Sequence, residues 1–396
     1  MTHREAILER VEATPMPLAW PSEAARQERI VSIDVLRGLI MVLMALDHTR
    51  DFFGTGGFNP RDVTEPALFL TRWVTHLCAP TFIFLAGLSA FLYGRGRSAG
   101  ELSRFLLTRG LLLILLDFTL IKFGWRFEFD FYRMSAGVIF AIGASMIALA
   151  ALIWLPRFAI AAVALIMIAG HNLLDGLSAA QFGELSWAWH VLHEQGRITL
   201  GEGASLYVVY PLIPWIGVMA AGYALGPAMQ LGSEARQRLL FRLGAAITFG
   251  FVVLRATNLY GDPAGWTTQE NWLSTLLSFI NCEKYPPSLL YLMMTLGPAF
   301  MLLAAFEQAR GVLAQLLTIF GKVPFFFYVV HIYLIHALAV AAGLAMTGVF
   351  AKSTEIGFGL PGVYLIWLLV LLLLYPLCRS FADLKARRSG SWWSYL

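Results

Sequence analysis

Charged residues are scarce in this sequence. They make up 14% of the 396 residues, against 58% for hydrophobic residues, and the mean hydropathy is +0.67. A soluble domain usually carries about 25% charged residues, so this composition excludes an ordinary soluble protein. The apolar runs are long and unbroken, whereas strands of a membrane β-barrel alternate over about 10 residues. Helices are the remaining way to satisfy the backbone in lipid, which predicts an all-α, polytopic bundle of transmembrane helices.

Cysteine is scarce as well. The three cysteines, Cys78, Cys282 and Cys378, form no CxxC or other metal-ligand spacing. The histidines show neither HxxxH nor HExxH spacing, and we therefore predict no metal. Cys78 and Cys282 could form a disulfide on the outer side, although a membrane cysteine is more often a small apolar filler.

A signal-peptide core is missing from the first thirty residues, which are rich in arginine and glutamate. Such a segment is typical of a cytoplasmic tail or a surface helix. We predict an amino-terminal cytoplasmic tail over 1–29, one transmembrane domain over 30–380 and a cytoplasmic carboxy-terminal tail over 381–396. No linker or change of composition divides the central domain.

Ten apolar runs are long enough to cross a bilayer. They fall at 31–53, 67–93, 105–124, 135–155, 157–175, 205–226, 239–257, 287–306, 323–346 and 359–379. Arginine and lysine gather on the side that a cytoplasmic amino terminus predicts, so we expect both termini in the cytoplasm and the chain in a bacterial inner membrane. The connection 122–134 is the weak point, because basic residues lie on its predicted outer side. The net charge of +4 reflects the same bias, and we expect no nucleic-acid partner.

One polar stripe runs along the first span, SIDVLRGLIMVLMALDHTRDFF at residues 32–53. Asp34, Arg37, His48 and Asp51 are spaced three, eleven and three apart, so at 3.6 residues per turn they return to nearly the same face. The helical rise puts Arg37 and His48 about 16 Å apart along the axis, roughly half the hydrocarbon thickness. We expect something long to lie along this stripe, held by Arg37 and reacting near His48.

Each end of the stripe has a purely structural alternative. Asp34 and Arg37 could pair with each other and reach the inner interface, and His48 could be a solvated interfacial histidine. Three charged neighbours argue against the second alternative, namely Asp47, Arg50 and Asp51. A carboxylate one turn away can fix the tautomer of His48 and raise its basicity, as a general base requires.

Two further spans carry ionisable residues that face inward. In the second span Arg72 and His76 are four apart and share a face, and Pro80 follows one turn later, where it should kink the helix or free a carbonyl. A histidine that packs between helices is the structural alternative for His76. In the ninth span Tyr328 and His331, three apart, are the predicted inward pair.

The other polar residues carry less information. His336 lies five residues from His331 and on another face, which indicates a structural role. Asp117 is a lone acid in the third span, and we expect it to pair with an arginine or a histidine of a neighbouring helix. Glu283 and Lys284, in the connection before the eighth span, either line an outer cleft or belong to a solvated loop.

Several stretches resemble a known family. The run SIDVLRGLIMVLMALDH at 32–48, followed by CAPTFIFLAGLSAFLYG at 78–94, resembles the bacterial DUF1624 membrane proteins and the catalytic domain of heparan-alpha-glucosaminide N-acetyltransferase. The likeness extends through LTRGLLLILLDFTLIKF, KYPPSLLYLMMTLGPAF and GKVPFFFYVVHIYLIH and covers most of the chain. Arg37 and His48, with ten residues between them, also match more distantly the R-x10-H motif of the acyltransferase-3 family.

This resemblance implies transfer of an acyl group, usually acetyl, from cytoplasmic acyl-CoA to a sugar or glycan acceptor on the far side of the membrane. A basic residue would hold the CoA phosphates, while His48 would deprotonate the acceptor or itself accept the acyl group. The candidate donor-side residues are Arg37, Asp34, Arg109 and Lys322. The candidate catalytic residues are His48, Asp47, Asp51 and His76, with Arg72, His331 and Tyr328 on the acceptor side.

One departure from the family leaves the catalytic histidine open. The family enzyme of lysosomes uses a histidine in the loop between the first two spans, and residues 49–75 contain none. The choice between His48 and His76, and between N- and O-acylation, therefore stays open. The expected partners are the bilayer, acyl-CoA and the acceptor, and a homo-oligomer is one alternative for the assembly.

Two other function classes fit parts of the pattern. A transporter or flippase could move a small anion or a lipid-linked sugar past the same charges. Transporters often show inverted repeats and broken helices, and the only hints here are Pro80 and Pro324. A membrane protein that only organises partners would instead form a closed bundle without an internal polar cavity.

Overall fold

The structure, a computed structural model, describes residues 30–55, 61–348 and 357–387. The predicted tail 1–29 and the chain after Arg387 lie outside this part. Within it the chain forms fifteen α-helices: α1 (Val31–Phe53), α2 (Pro66–Thr75), α3 (Cys78–Gly94), α4 (Ala99–Leu116), α5 (Lys122–Arg126), α6 (Val138–Leu152), α7 (Arg157–Gly170), α8 (Ser186–Leu192), α9 (Leu212–Leu225), α10 (Ser233–Thr257), α11 (Trp272–Ile280), α12 (Leu289–Ala305), α13 (Val312–Lys322), α14 (Pro324–Thr347) and α15 (Leu360–Arg387).

Seven helical segments of the described chain are long and apolar enough to cross a membrane: Pro66–Gly94, Arg157–Leu174, Leu212–Gln230, Ser233–Thr257, Leu289–Gln308, Pro324–Thr347 and Leu360–Arg387. The protein is thus a helical, polytopic membrane protein, as predicted. Helix α1 has 23 residues and is long enough, but it is unusually rich in charge. The number of ten spans and the side on which the termini lie stay predictions.

Helix α1 packs against α2, α3, α12, α13, α14 and α15. Its closest neighbour is α13, an 11-residue helix that was not predicted because it is too short to span the bilayer. A Cβ atom at Gly321 of α13 would lie 1.9 Å from the carbonyl oxygen of Asp34, and one at Gly38 would lie 1.8 Å from that of Leu317. The two backbones are therefore in direct contact, which fixes the Arg37 end of α1.

Pro80 has the effect that the sequence predicted. The second span is broken at His76 and Leu77, between α2 and α3. A proline ring removes the hydrogen bond to the carbonyl four residues earlier, which here belongs to His76. The hydroxyl of Tyr291, on α12, donates to that carbonyl at 3.0 Å, so the freed acceptor is satisfied by another helix.

The prediction for Asp117 was wrong. Its carboxylate accepts a hydrogen bond from the backbone N–H of Gly137 at 3.0 Å, at the start of α6, instead of pairing with an arginine or a histidine. Asp117 opens a π-helical turn, Asp117–Ile121, that joins α4 to α5. A helix amino terminus offers unpaired N–H groups and a positive dipole end, and it can satisfy a buried carboxylate without a cationic side chain.

A small three-stranded sheet, absent from the prediction, joins two connections that were both predicted to lie outside. Its strands are β1 (Arg133–Ala136), β2 (Gly196–Gly201) and β3 (Ala204–Val208), in the order β1-β3-β2. Strand β3 pairs in parallel with β1 and antiparallel with β2. Residues 205–208, which were predicted to begin the sixth span, therefore belong to the sheet. The pairing also puts the connections 122–134 and 176–204 on the same side of the bundle.

All three cysteines lie in the described residues and are buried free thiols. The thiol of Cys78 donates to the carbonyl of Ile40 at 3.6 Å, and burial raises the pKa of the Cys282 thiol above its ordinary value. The disulfide between Cys78 and Cys282 that the sequence left open is not formed in this structure.

A buried arginine organises the chain between α10 and α12. Arg255, 1% exposed, donates hydrogen bonds to the carbonyls of Phe279, Ala264, Ser278 and Asn281. Its Nη1 lies 3.7 Å from Oδ1 of Asp262. Asp262 in turn accepts from the N–H of Glu283 at 2.8 Å and from Oγ of Ser288 at 2.7 Å. This network holds the segment 283–288 that reaches the candidate site described below.

Replacing Arg255 with alanine is expected to lower the free energy of unfolding by about 3–5 kcal/mol, because it leaves a buried carboxylate and four carbonyls without their partner. Equilibrium unfolding of the purified chain in mixed detergent micelles measures this free energy. Arg242, exposed on the same helix, supplies the matched control, and its replacement by alanine should change the value by less than about 0.5 kcal/mol. Equal effects at the two positions would contradict the organising role of Arg255.

Candidate active site

Two histidines that are distant in sequence meet at the His48 end of α1. Nδ1 of His48 lies 2.7 Å from Nε2 of His331, which is carried by α14. The two rings are nearly parallel, with an interplanar angle of 14° and centroids 4.9 Å apart. His331 is 0% exposed, whereas His48 is half-buried. The structure thus provides a histidine pair in which only one ring is accessible.

A chain of hydrogen bonds sets the tautomers of this pair. Nδ1 of His331 lies 2.9 Å from the carbonyl oxygen of Phe327, and since a carbonyl only accepts, Nδ1 carries the hydrogen. Nε2 of the neutral His331 ring is then an acceptor, and it receives the hydrogen of His48 Nδ1. Nε2 of His48 keeps its lone pair, which is the state that a general base requires.

Aromatic side chains surround the accessible ring. The indole of Trp125 lies edge-on to His48 with centroids 4.8 Å apart, and the ring of Tyr328 lies 6.1 Å away. Phe52 stacks on Trp125 at 5.3 Å. The prediction that Tyr328 and His331 face inward together is confirmed, since both are buried. Trp125 was missed, because α5 follows the π-helical turn and its register is not visible in the sequence.

The aspartates beside His48 do not hold its ring, contrary to the prediction. Nη2 of Arg50 lies 2.7 Å from Oδ1 of Asp47 and 2.8 Å from Oδ1 of Asp51. Asp47 also accepts from Oγ1 of Thr75 at 2.9 Å. A guanidinium forms strong charge-assisted hydrogen bonds with carboxylates, and here both carboxylates bind Arg50. The hydrogen-bond partner of His48 therefore comes from α14. Asp47 still interacts electrostatically with His48.

Positive charge converges on the same region from α2 and from the segment 283–288. Lys284 is half-buried and lies within electrostatic range of Asp47, His48 and His76. Burial lowers the pKa of the Lys284 ammonium, but Tyr285 and Asp47 outweigh this effect and hold the pKa above its ordinary value. Arg72 of α2 also acts on Asp47. Lys284 is half-buried beside the site, which fits a cleft and not a solvated loop.

His76 lies close to this region but makes different contacts. Its ring is buried and is tilted against the ring of Tyr291 with centroids 5.3 Å apart. Within the described residues neither of its ring nitrogens has a hydrogen-bond partner. His48, by contrast, has a partner that fixes its tautomer. The geometry of a positioned base is thus complete at His48 and incomplete at His76.

At the other end of α1, Arg37 joins three helices. Its Nη1 lies 3.4 Å from Oδ1 of Asp34 and 3.1 Å from the carbonyl oxygen of Gly321, and its Nη2 donates to Oγ of Ser89 at 3.2 Å. Asp34 and Arg37 do pair, as the structural alternative supposed. The Arg37 side chain is held between α1, α3 and α13, and 17% of it stays exposed.

The two weaker donor-side candidates lie in different places. Lys322 directly follows Gly321 at the end of α13 and is exposed, so its ammonium is accessible beside the Arg37 end. Arg109 lies on α4, with its guanidinium 5.8 Å from the ring centroid of Phe105. Helix α1 is continuous from Val31 to Phe53, which keeps Arg37 and His48 about 16 Å apart along one axis.

Comparison with known proteins adds one match. The family model described as heparan-alpha-glucosaminide N-acetyltransferase, catalytic, matches residues 29–256, which is more than half of the chain. The matched part includes both ends of α1, with α2, α3 and Trp125, while Lys284 and His331 lie beyond it. No curated protein matches the chain.

Proposed function

The chain belongs to the heparan-alpha-glucosaminide N-acetyltransferase catalytic family, a family of membrane acetyltransferases, and we propose that it moves an acetyl group from cytoplasmic acetyl-CoA to a sugar or glycan on the opposite face. The observation that carries the proposal is the hydrogen bond of 2.7 Å between His48 and His331. It leaves a lone pair on the accessible ring, close to one end of the charged helix α1. This is the chemistry that acyl transfer to an amine or a hydroxyl needs.

In the proposed reaction, Nε2 of His48 takes the proton of the acceptor amine or hydroxyl as that group attacks the thioester carbonyl. The C–S bond then breaks, the new amide or ester forms, and the CoA thiolate takes the proton back from His48. Alternatively, Nε2 of His48 attacks the thioester carbonyl and the CoA thiolate leaves; the acceptor then attacks the acetyl-imidazole, His48 is released, and the thiolate takes the acceptor proton. Sequential kinetics would indicate the direct route, and ping-pong kinetics with an acetylated His48 the covalent one.

The surroundings of His48 supply the other requirements of this step. Lys284 and Arg72 bring positive charge to the region where a tetrahedral oxyanion develops, and such charge stabilises the transition state most strongly away from water. Trp125 and Tyr328 present ring faces and edges of the kind that bury the apolar side of a sugar. The carboxylate of Asp47, held by Arg50 and Thr75, partly neutralises this positive charge.

The Arg37 end of α1 is the proposed donor side. Arginine binds phosphate through a planar set of donors, and the exposed Lys322 adds a second cation beside it. The CoA phosphates would bind here while the pantetheine arm follows α1, so that the thioester arrives near His48. The charge of α1 at its two ends, with an apolar stretch between them, supports this arrangement.

Replacing Arg37 with alanine is expected to raise the KM for acetyl-CoA by about 10–100-fold, which corresponds to the loss of hydrogen bonds to a charged group. The value of kcat should change little, because this contact would be the same in the ground and transition states. Steady-state kinetics with acetyl-CoA and with acetyl-pantetheine, which lacks the nucleotide phosphates, provide the measurement. The KM for acetyl-pantetheine should stay constant.

A control separates binding from packing at the Arg37 end. Ser89→Ala removes a hydrogen bond of Arg37 without removing the charge, and it should leave the KM for acetyl-CoA within a few-fold of the original. Should Arg37→Ala raise the KM for both donors equally, Arg37 would support the helices and would not bind phosphate.

The function itself can be tested with the full chain in proteoliposomes. Acetyl-CoA labelled in the acetyl group is supplied on one side, and a panel of amino sugars and neutral sugars on the other. We expect labelled, acetylated sugar on the acceptor side. If at millimolar donor there is neither transfer nor hydrolysis of acetyl-CoA, the proposal fails. Counterflow of an unmodified sugar or anion would favour the transporter instead.

A further inference from the structure

A second cluster of ionisable side chains lies apart from the residues assigned to acetyl transfer. It consists of His171, on the 3₁₀ turn His171–Leu174 after α7, of Asp175, and of His193, directly after α8. One ligand atom from each residue lies within 4.8 Å of the others. Nε2 of His193 is 3.2 Å from Oδ1 of Asp175, and the rings of His171 and His193 are 5.7 Å apart at their centroids.

The two histidines of this cluster are buried without enough hydrogen-bond partners, whereas Asp175 is exposed. His171 is 1% exposed and His193 3%. Among the described residues, no hydrogen bond of good geometry reaches either ring nitrogen of His171 or Nδ1 of His193, and the backbone carbonyl of Pro287 neighbours the His171 ring only in a poorly aligned contact. Buried polar atoms in proteins nearly always have partners, so two neighbouring buried imidazoles whose nitrogens lack partners point to a missing ligand.

The carboxylate of the cluster is already oriented. Nδ2 of Asn172 donates to Oδ2 of Asp175 at 2.8 Å, which leaves Oδ1 directed at His193. The side-chain Oδ1 of the same Asn172 accepts from the backbone N–H of Leu289 at 2.9 Å, at the start of α12. Metal ligands in proteins are usually held by such hydrogen bonds from neighbouring residues. Loss of a residue that holds a ligand usually lowers metal affinity about 10–100-fold.

We propose that His171, Asp175 and His193 bind one divalent transition-metal ion, with zinc as the preferred metal. Two imidazoles and one carboxylate form a common set of protein ligands for zinc, and a water molecule completes the tetrahedron. Ligands about 2.0–2.1 Å from a tetrahedral ion lie about 3.3 Å from one another, so small side-chain rotations would draw the three atoms onto it. His193 would bind the ion through Nε2, which faces Asp175, and His171 through a ring nitrogen that lacks a partner.

The position of the site indicates what the ion does. Its ligands come from the end of α7 and the end of α8, and Asn172 links them to the start of α12. The ion would therefore fasten the segment 176–192 to the bundle beside Pro287, in the segment that also carries Lys284. The proposed role is to hold this segment in place, and it does not depend on the proposed acetyl transfer. The spacing search missed the site because His193 is brought to the other two by the fold.

Metal binding can be measured on the full chain purified in detergent with an affinity tag that contains no histidine. The protein is stripped with a chelator, titrated with zinc and freed of unbound metal, and its zinc content is then determined by mass spectrometry. We expect one zinc per chain. Asp175→Asn, which keeps the shape of the side chain, and His193→Ala should each weaken binding by more than about 100-fold, since a lost ligand costs at least as much as a lost supporting residue.

His190→Ala is the matched control, since His190 lies on α8 three residues before His193 and bonds the carbonyl of Glu194. It should retain one zinc per chain. Absence of zinc from the unmodified chain would overturn the proposal whether or not any variant folds. Equal zinc content in the unmodified chain, Asp175→Asn and His190→Ala would also overturn it, and the cluster would then be held by hydrogen bonds alone.

Discussion

Replacing His48 with alanine is expected to lower kcat/KM for acetyl transfer by about 10²–10⁴-fold, the usual contribution of a positioned general base. The physical reason is the lone pair that His48 keeps on Nε2, because its Nδ1 hydrogen is donated to His331. The rate of acetyl transfer from acetyl-CoA, measured at several acceptor concentrations on detergent-purified protein, is the test. The unfolding midpoint should stay close to that of the unmodified chain, because His48 is only half-buried.

Two other histidines complete this experiment. His336 lies on α14, like His331, but bonds the carbonyl of Gly124 at 2.8 Å, and His336→Ala should retain nearly full activity. His76→Ala decides between the two histidines that the sequence left open, and we expect it to cost far less than His48→Ala. If His76→Ala abolishes transfer while His48→Ala retains it, the base has been assigned to the wrong helix.

The sequence predicted the positions of Arg37 and His48 on α1 better than the partners of their side chains. Periodicity placed Arg37 and His48 at two ends of one helix, because every residue of that argument lies on α1. The partner of His48 lies 283 residues away on α14, and periodicity within one helix contains no information about such a contact. The local neighbours Asp47 and Asp51 were favoured instead, yet Arg50, equally local, binds both.

The same limit explains the errors in the fold. Long apolar helices such as α12 and α14 were predicted because their length alone identifies them. Helix α13 and the strands of the sheet are too short to give such a signal, and their positions depend on tertiary contacts. The partner of Asp117 is a backbone N–H, which every residue but proline possesses, so no side-chain pattern could reveal it.

Replacing His331 with leucine is expected to lower kcat by about 10²–10⁴-fold, although His331 touches neither substrate in the proposed reaction. His331 is a positioning residue: its Nε2 accepts the hydrogen of His48 Nδ1 and so keeps the lone pair on His48 Nε2. Leucine accepts no hydrogen bond, and the His48 ring would then change its tautomer and its orientation. Steady-state kinetics of acetyl transfer measure the loss.

His331→Gln separates positioning from a mere effect on stability. The glutamine carbonyl oxygen can accept the hydrogen of His48 Nδ1, so this variant should recover activity to within about tenfold of the original, while leucine should not. Stability should follow the opposite order, because His331 is fully buried and an apolar side chain of similar size is tolerated there better than an amide with unpaired donors. A positioning role therefore requires that the more stable variant be the less active one. If activity instead falls in step with the unfolding midpoint, His331 serves the packing of α14 against α1, and the tautomer of His48 is set by another group.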